Sequence, residues 1–334
     1  MTGMLMPAKW IAAAAIAMFA IVAPQEAGKG RGLEAGPPAP PPIKLSVSSL
    51  TPEASIPING DRQIVATADA VWVSDRTAGT LTRIDPKTNA TDAPVAIGKA
   101  PCFQPMPAFG SVWTTLCGPA GLARLDPKAT DKPPVVISVS IKAGGPIATG
   151  ASSIWIVSDA SGTLSRIDPD TNAVVAEIPI PAGSAAMAFV GDSVWLVSTP
   201  KNSVTRINGA THVAIETIKV PGGPGAIAGS ADAIWVHSGD GTVSRIDPKT
   251  NKVAATVKTG VTAAGALAVG EGSVWLSAPG FPLTRIDPAT NTMAQQFTGA
   301  GGGALAIGHK AIWMAATPGA IWRVDPRRVE ATRR

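Results

Sequence analysis

The sequence has little charge and no tyrosine. Only 15% of its 334 residues are charged, and the net charge of +5 is spread along the chain except for an arginine cluster near the C-terminus. A face that binds nucleic acid usually concentrates Lys and Arg in one dense patch. The charge distribution therefore argues against nucleic acid as the partner.

Cysteine and histidine are also scarce, with two and three residues respectively. A metal site or a thiol-dependent enzyme at the two cysteines would need a nearby His or further Cys, and none is evident. A quinone cofactor would need stacking tryptophans beside a metal site, and the sequence contains no motif of that kind. Neither a metal site nor a cofactor is predicted.

Long apolar runs are missing except near the N-terminus. The run Trp10–Ala23 has 14 residues and follows Lys9. That length is short for a membrane span and typical of the apolar region of a signal peptide. We predict a signal peptide over residues 1–27 and export to the periplasm or the medium. The alternative is that this segment stays uncleaved as a membrane anchor, and it would then be the only attachment to a membrane.

Residues 28–45 are rich in Gly and Pro, most densely in Gly36–Pro42. Such a segment has little to bury, so it is predicted to be a disordered linker.

The abundant feature is an internal repeat. The motif Arg-Ile-Asp-Pro, or a close variant, occurs seven times, and a tryptophan lies ten or eleven residues before each arginine. The 241 residues from Trp72 to Trp313 give about 40 residues per repeat, a period typical of β-propeller blades. The repeated residues are Trp72, Trp113, Trp155, Trp195, Trp235, Trp275 and Trp313, with Arg83, Arg124, Arg166, Arg206, Arg245, Arg285 and Arg323.

The repeat over residues 144–180 contains four strand-like runs separated by turns. The turn Asp168–Asn172 has a physical basis, because Asp accepts backbone N–H bonds, Pro presets φ, and Asn tolerates the left-handed conformation. Four antiparallel strands in each of seven repeats predict an all-β, seven-bladed propeller over residues 46–334. We expect the tryptophans to lie in the core. Each arginine is expected to lie over the adjacent blade's tryptophan or to pair with a turn Asp.

The two ends of the repeat array predict how the ring closes. After Arg323 only the short segment Val329–Thr332 stands where a fourth strand belongs. The segment Glu53–Ile58 resembles an outer strand and precedes the first complete blade. We predict that this N-terminal segment completes the last blade and so removes an exposed edge.

Cys102 and Cys117 lie in the second repeat, on the two sides of a hairpin that turns near Phe109 and Gly110. The spacing predicts that the two cysteines face each other directly, at a distance that suits a disulfide. In an exported protein a disulfide is the expected outcome.

The repeats, of the form SVWLVS followed by GTLSRIDPKTN, resemble the YVTN-type and streptogramin-lyase-like propeller repeats of exported bacterial proteins. The resemblance covers residues 53–334 and rests on scaffold residues. It implies the propeller fold and, for the lyases, chemistry by His and Glu with Mg²⁺. Of the three histidines, His212 lies on an outer strand, and only His237 is placed to reach the channel mouth. His309 lies in an inner-hairpin turn, and Glu271 lies in a turn of the same type. No position matches the acid–base pair of the lyases.

Three function classes follow. The first is a non-catalytic exported module that binds a small molecule, a peptide or a cell-envelope protein, and acts as a monomer. The second is a lyase-like enzyme with His237 and Asp240 as the candidate catalytic pair. The third is nucleic-acid binding, disfavoured by the charge. Because irregular loops on a regular scaffold usually carry function, the candidate contacts are Arg62, Arg76, Lys99, Asp159, Lys201, His237 and Asp240.

Overall fold

The structure is a computed structural model that describes residues 41–98, 101–118, 120–137, 145–316 and 319–332. The predicted signal peptide, most of the predicted linker and the candidate contact Lys99 lie outside these residues.

Seven four-stranded antiparallel sheets, which we call blades one to seven in the order of their tryptophans, form a β-propeller. This confirms the predicted fold. The innermost strands are β3 (Arg62–Ala66), β7 (Met106–Ala108), β11 (Ile147–Gly150), β15 (Ser184–Val190), β19 (Pro224–Ser230), β23 (Ala266–Gly270) and β27 (Leu305–Gly308). The second strands are β4 (Val71–Asp75), β8 (Ser111–Cys117), β12 (Ser153–Asp159), β16 (Ser193–Ser198), β20 (Ala233–Ser238), β24 (Ser273–Ala278) and β28 (Ala311–Ala316).

The outer half of each blade follows the same order. The third strands are β5 (Thr80–Ile84), β9 (Ala120–Leu125), β13 (Thr163–Ile167), β17 (Ser203–Asn208), β21 (Thr242–Asp247), β25 (Phe281–Asp287) and β29 (Ala320–Val324). The fourth strands are β6 (Val95–Ala96), β10 (Val135–Ile137), β14 (Val174–Pro179), β18 (Ala214–Lys219), β22 (Lys252–Lys258), β26 (Thr292–Thr298) and, in blade seven, β2 (Ala54–Pro57).

The tryptophans form the core between blades. All seven are at most 2% exposed, because they lie in the middle of the second strands, where neighbouring blades cover both faces. Each blade therefore buries its most apolar strand against the next blade, and this burial is the main stabilising term of the ring.

Four of the repeat arginines connect consecutive blades through the same set of contacts. Arg206 pairs across the strands with Trp195 and lies 4.9 Å from its ring centroid. Its Nη1 donates to Pro248 O at 2.6 Å and to Asn251 Oδ1 at 3.0 Å, in the Asp-Pro turn of blade five. The structural role predicted for these residues is confirmed, but the predicted stacking partner is wrong. The stacking partner is the tryptophan of the same blade, because the two residues are direct cross-strand neighbours. The same arrangement holds for Arg124, Arg245 and Arg323.

The turns between third and fourth strands have the predicted chemistry. In blade three, Asp168 Oδ1 accepts the N–H groups of Asp170 and Thr171 at 2.8 and 3.0 Å, and Asn172 has a φ of 57°. These backbone donors lower the pKa of Asp168, and equivalent bonds lower the pKa of Asp85 and Asp247. In blade four Asn208 accepts the same pair of N–H groups.

Both ends of the described chain meet at blades six and seven. The strand β2 pairs antiparallel with β29, with Ile56 opposite Ile321. Just before it, β1 (Ile43–Ser46) pairs in parallel with β26 and gives blade six a fifth strand. The helix α1 (Pro326–Ala331) follows the last strand, and its Val329 is fully buried against Leu50.

The strand β1 corrects the predicted linker boundary. Ile43 and Leu45 are half-buried while Lys44 and Ser46 are exposed. This apolar–polar alternation is typical of a strand with one buried face, so residues 43–45 of the predicted linker belong to a strand.

The predicted disulfide between Cys102 and Cys117 is present, with a Cα–Cα distance of 5.7 Å. The prediction that the two residues are directly opposite is wrong. Met106 pairs with Trp113 as the predicted register requires, but the register then shifts, and Pro101 lies opposite Leu116. The bond therefore joins diagonal neighbours, which also lie within disulfide range.

Within the described residues no helix is long and apolar enough to cross a membrane.

Candidate functional site

The two ends of the central channel carry different loops. The regular Asp-Pro turns lie at one end, which we call the stereotyped-turn end. The connections from fourth to first strands and from second to third strands lie at the other, which we call the irregular-loop end. The described candidate contacts Arg62, Arg76, Asp159, Lys201, His237 and Asp240 belong to the irregular-loop end or to the strands beside it.

A cavity of about 380 Å³ lies on the propeller axis at the irregular-loop end. All seven blades contribute to its wall through residues near the start of their innermost strands. The lining residues are Gln63, Cys102, Phe103, Gln104, Met106, Pro146, Ile147, Ala185, Ala186, Met187, Gly225, Ala226, Ile227, Ala264, Gly265, Ala266, Leu267 and Gly303.

The cavity has two unlike sides. Blades one and two contribute Gln63, Phe103 and Gln104, whereas the outer lip on blades four and five is formed by Ala185 and Gly225. Both lip residues are exposed, and a Cβ atom added at Gly225 would meet nothing within 4 Å. The mouth is therefore open on the side of the small residues and walled by amide and aromatic groups on the other.

The disulfide supports the amide side. Cys102 lines the cavity and donates its backbone N–H to Thr115 O at 2.9 Å, while the neighbouring Gln104 donates its side-chain amide to Ile64 O of blade one. The strand β7 that follows is only three residues long, whereas β15 and β19 each have seven. The disulfide therefore fixes the segment that leads into β7, whereas the longer strands β15 and β19 are fixed there by additional strand pairing.

His237 is not at the channel mouth as predicted. It is 2% exposed, lies inside β20 two residues after Trp235, and its Nε2 is 2.8 Å from Val261 O. Residues two apart in a strand share a face, so His237 packs in the core beside the tryptophan. Asp240 is exposed and accepts the N–H and Oγ1–H of Thr242 at 3.0 and 2.7 Å. The predicted catalytic pair is thus divided between the core and a surface turn.

Arg62 is also structural. Its Nη1 donates to Ile58 O at 3.0 Å and to Ala320 O at 2.8 Å, and its Nη2 donates to Ala316 O at 3.2 Å. Burial lowers the pKa of Arg62, an effect that the carboxylates of Asp75 and Asp61 oppose. The side chain fastens blade one to the last hairpin of blade seven.

The remaining candidates lie at the surface of the irregular-loop end. Arg76 is about half exposed and lies 3.9 Å from Asp61, a separation at which an exposed ion pair contributes little. Lys201 is exposed. Asp159 is half-buried and accepts the N–H and Oγ–H of Ser161 at 2.8 and 2.7 Å, so it shapes its own turn. Of the predicted residues that the structure describes, none lines the axial cavity.

Sequence reasoning missed Gln63, Met187 and Gly225 as site residues. The signal that identifies them is their place in the repeat, since residues eight to ten positions before each tryptophan line the channel in every blade. Nine and ten positions before the tryptophan, blades four to seven carry only Ala or Gly, whereas blades one and two carry Gln63, Phe103 and Gln104 at these positions, and these three form the distinctive wall.

The described lining offers apolar surface and two carboxamide side chains. Such a surface holds an uncharged ligand by burial and by a few directional hydrogen bonds. No group of three or more His, Cys, Asp or Glu side chains placed to hold a metal ion occurs among the residues that the structure covers.

No protein-family model and no curated protein matches the chain. Among solved structures, a streptogramin B lyase has a TM-score of 0.67 at 19% identity, with 81% of this chain and 94% of that chain covered. The virginiamycin B lyase of Staphylococcus aureus has a TM-score of 0.68 at 18% identity, with 81% of this chain and 98% of that chain covered. The Pan2 WD40 domain of Neurospora crassa has a TM-score of 0.63 at 11% identity and covers 80% and 89%. At these identities the comparison establishes the fold alone, and this chain shares its seven-bladed β-propeller with the streptogramin lyases.

Proposed function

We propose that this chain is an exported, non-catalytic binding module whose ligand docks at the irregular-loop end of the channel. The observation that carries the proposal is the axial cavity, because a preformed concave site with a few convergent polar groups is the usual form of a ligand site. The disulfide supports export, since disulfides persist in oxidising compartments.

Binding is favoured over catalysis by the chemistry of the described lining. Its amide and apolar groups hold a ligand, whereas acid–base catalysis requires a titratable group within hydrogen-bond reach of the reacting atoms. Arg76, Lys201 and Asp240 are exposed in loops of the same end, and we expect them to orient an approaching partner.

A titration with Nile red, a neutral apolar dye, tests the cavity as a binding site. We expect saturable fluorescence enhancement in the wild-type protein and a Kd increased about tenfold or more in Gly225→Leu, because the new side chain enters the mouth. Gly118→Leu is the matched control. A Cβ there also meets nothing within 4 Å, and Gly118 does not line the cavity. Equal affinities in Gly225→Leu and Gly118→Leu would contradict the proposal.

A second candidate function, ring opening of a streptogramin B antibiotic, rests on the fold shared with the lyases. Incubation with such an antibiotic, followed by chromatography, tests it. Turnover that disappears in Asp240→Asn would favour this candidate over the binding module. Since His237 is buried against Val261, we expect no turnover that depends on it.

A further inference from the structure

The axial cavity has the shape of a socket for one apolar side chain. Its lip on blades four and five consists of Ala185 and Gly225. Two residues further along the same strands, Met187 and Ile227 form its deeper wall, together with Leu267 at the equivalent position of blade six. A side chain that passes the small lip residues therefore reaches a wall of large, flexible and branched groups. Burial of one such side chain removes apolar surface from water and so favours binding.

The surroundings of the socket match a protein interface better than an isolated small-molecule pocket. Exposed charged residues of both signs, Arg76, Lys201 and Asp240, lie in second-to-third-strand loops of the same end as the apolar cavity. An apolar centre with polar groups further out is the usual anatomy of a protein–protein interface. A small ligand confined to the cavity would not contact these loops.

The wall also provides partners for a peptide backbone. Each innermost strand is the terminal strand of its sheet, so its channel-facing edge is not paired with another strand. Together with the carboxamide of Gln63, these edges supply donors and acceptors that match main-chain amides.

The socket is held in place before anything binds. The Cys102–Cys117 disulfide and the Gln104 contact with Ile64 O fix the wall of blade two against blade one. A preorganised site loses less conformational entropy on binding, so more of the contact energy appears as affinity.

We infer that the natural ligand at this mouth is a protruding loop of a partner protein, which inserts one large apolar side chain, flanked by uncharged residues, into the channel. This inference rests on the proposed function. It specifies the ligand of the same site: Gly225 and Ala185 form the gate, and Met187 and Ile227 form the seat.

A library of disulfide-constrained loops displayed on phage tests the inference, with the full chain as the target. We expect enrichment of loops with a single Leu, Ile, Phe or Trp between uncharged residues. Synthetic versions should bind the wild type and Gly118→Leu alike, and should lose about tenfold or more in affinity to Gly225→Leu. Ala185→Leu is the second blocking variant, used if Gly225→Leu lowers the melting temperature.

The other outcomes separate this inference from the proposed function. Failure to enrich any loop while Nile red still binds the wild type would overturn the inference and leave the binding site standing. Loops that bind Gly225→Leu and Ala185→Leu as tightly as the wild type would place the contact elsewhere and overturn it. Absence of both loop and dye binding would contradict the proposed function as well.

Discussion

The contact between Arg206 and blade five yields a quantitative prediction about the ring. In Arg206→Ala, Pro248 O and Asn251 Oδ1 lose a charged donor at 2.6 and 3.0 Å, and Trp195 loses the guanidinium above its ring. Hydrogen bonds to charged groups contribute about 1.5–3 kcal/mol each, and a cation–π contact about 0.5–1 kcal/mol. Because water replaces part of the lost bonding, we expect a loss of about 3 kcal/mol in unfolding free energy. With an unfolding entropy of about 2.1 cal/mol/K per residue, a propeller of this length then melts about 5 °C lower.

Differential scanning calorimetry and urea unfolding measure this loss, and Arg76→Ala is the matched control. Its guanidinium is about half exposed and 3.9 Å from its partner, so we expect a change below about 0.5 kcal/mol. A cycle with Asn251→Ala should show a coupling of about 1 kcal/mol with Arg206→Ala. An Arg206→Ala protein no less stable than Arg76→Ala would refute the account of how blades are joined.

Four further predictions follow from other contacts. Arg62→Ala should lower the melting temperature by several degrees, since three carbonyls at the blade one–seven junction lose their donor. Mass spectrometry without reductant should show a mass two hydrogens below that of the dithiol form, and two alkylatable thiols in the native protein would contradict the disulfide. The double variant Cys102→Ser, Cys117→Ser should lose about 3 kcal/mol of unfolding free energy. Deletion of residues 1–42 should leave the melting temperature unchanged, whereas deletion through Pro52 should lower it, because β1 is removed. Deletion through Ile58 should lower it most, because β2 is removed as well. Equal melting temperatures of the last two variants would contradict the contribution of β2. The folded state lowers the pKa of the turn aspartates Asp85, Asp168 and Asp247 below the unfolded value of 3.8, so the protein should lose stability as the pH falls below 3.8 and through the folded pKa values. Replacement of these three residues by Asn should make the loss of stability at low pH less steep.

The fold could be predicted because each blade repeats the same local physics. The mid-strand tryptophan and the Asp168–Asn172 turn chemistry determine strand pairing within about 40 residues, and both recur. The disulfide could be predicted from a local hairpin, although its register shift could not, because the shifted segment includes Gln104, whose partner Ile64 O lies in another blade.

The site was harder to predict because its residues converge from all seven blades. Gly225 and Ala185 are ordinary strand residues when each is viewed in its own repeat, and only the ring places them together. The error on His237 was avoidable, since its spacing of two from Trp235 already places both on one face. The role of Arg62 was not, because its acceptors Ala316 and Ala320 lie more than 250 positions away in sequence.

A crystal structure of the wild-type chain with a selected loop peptide, or with Nile red if no loop is selected, locates the bound molecule directly. The account predicts density on the propeller axis at the irregular-loop end, in contact with Phe103, Met187 and Gly225. Density at the stereotyped-turn end, with the axial cavity empty, would contradict the account.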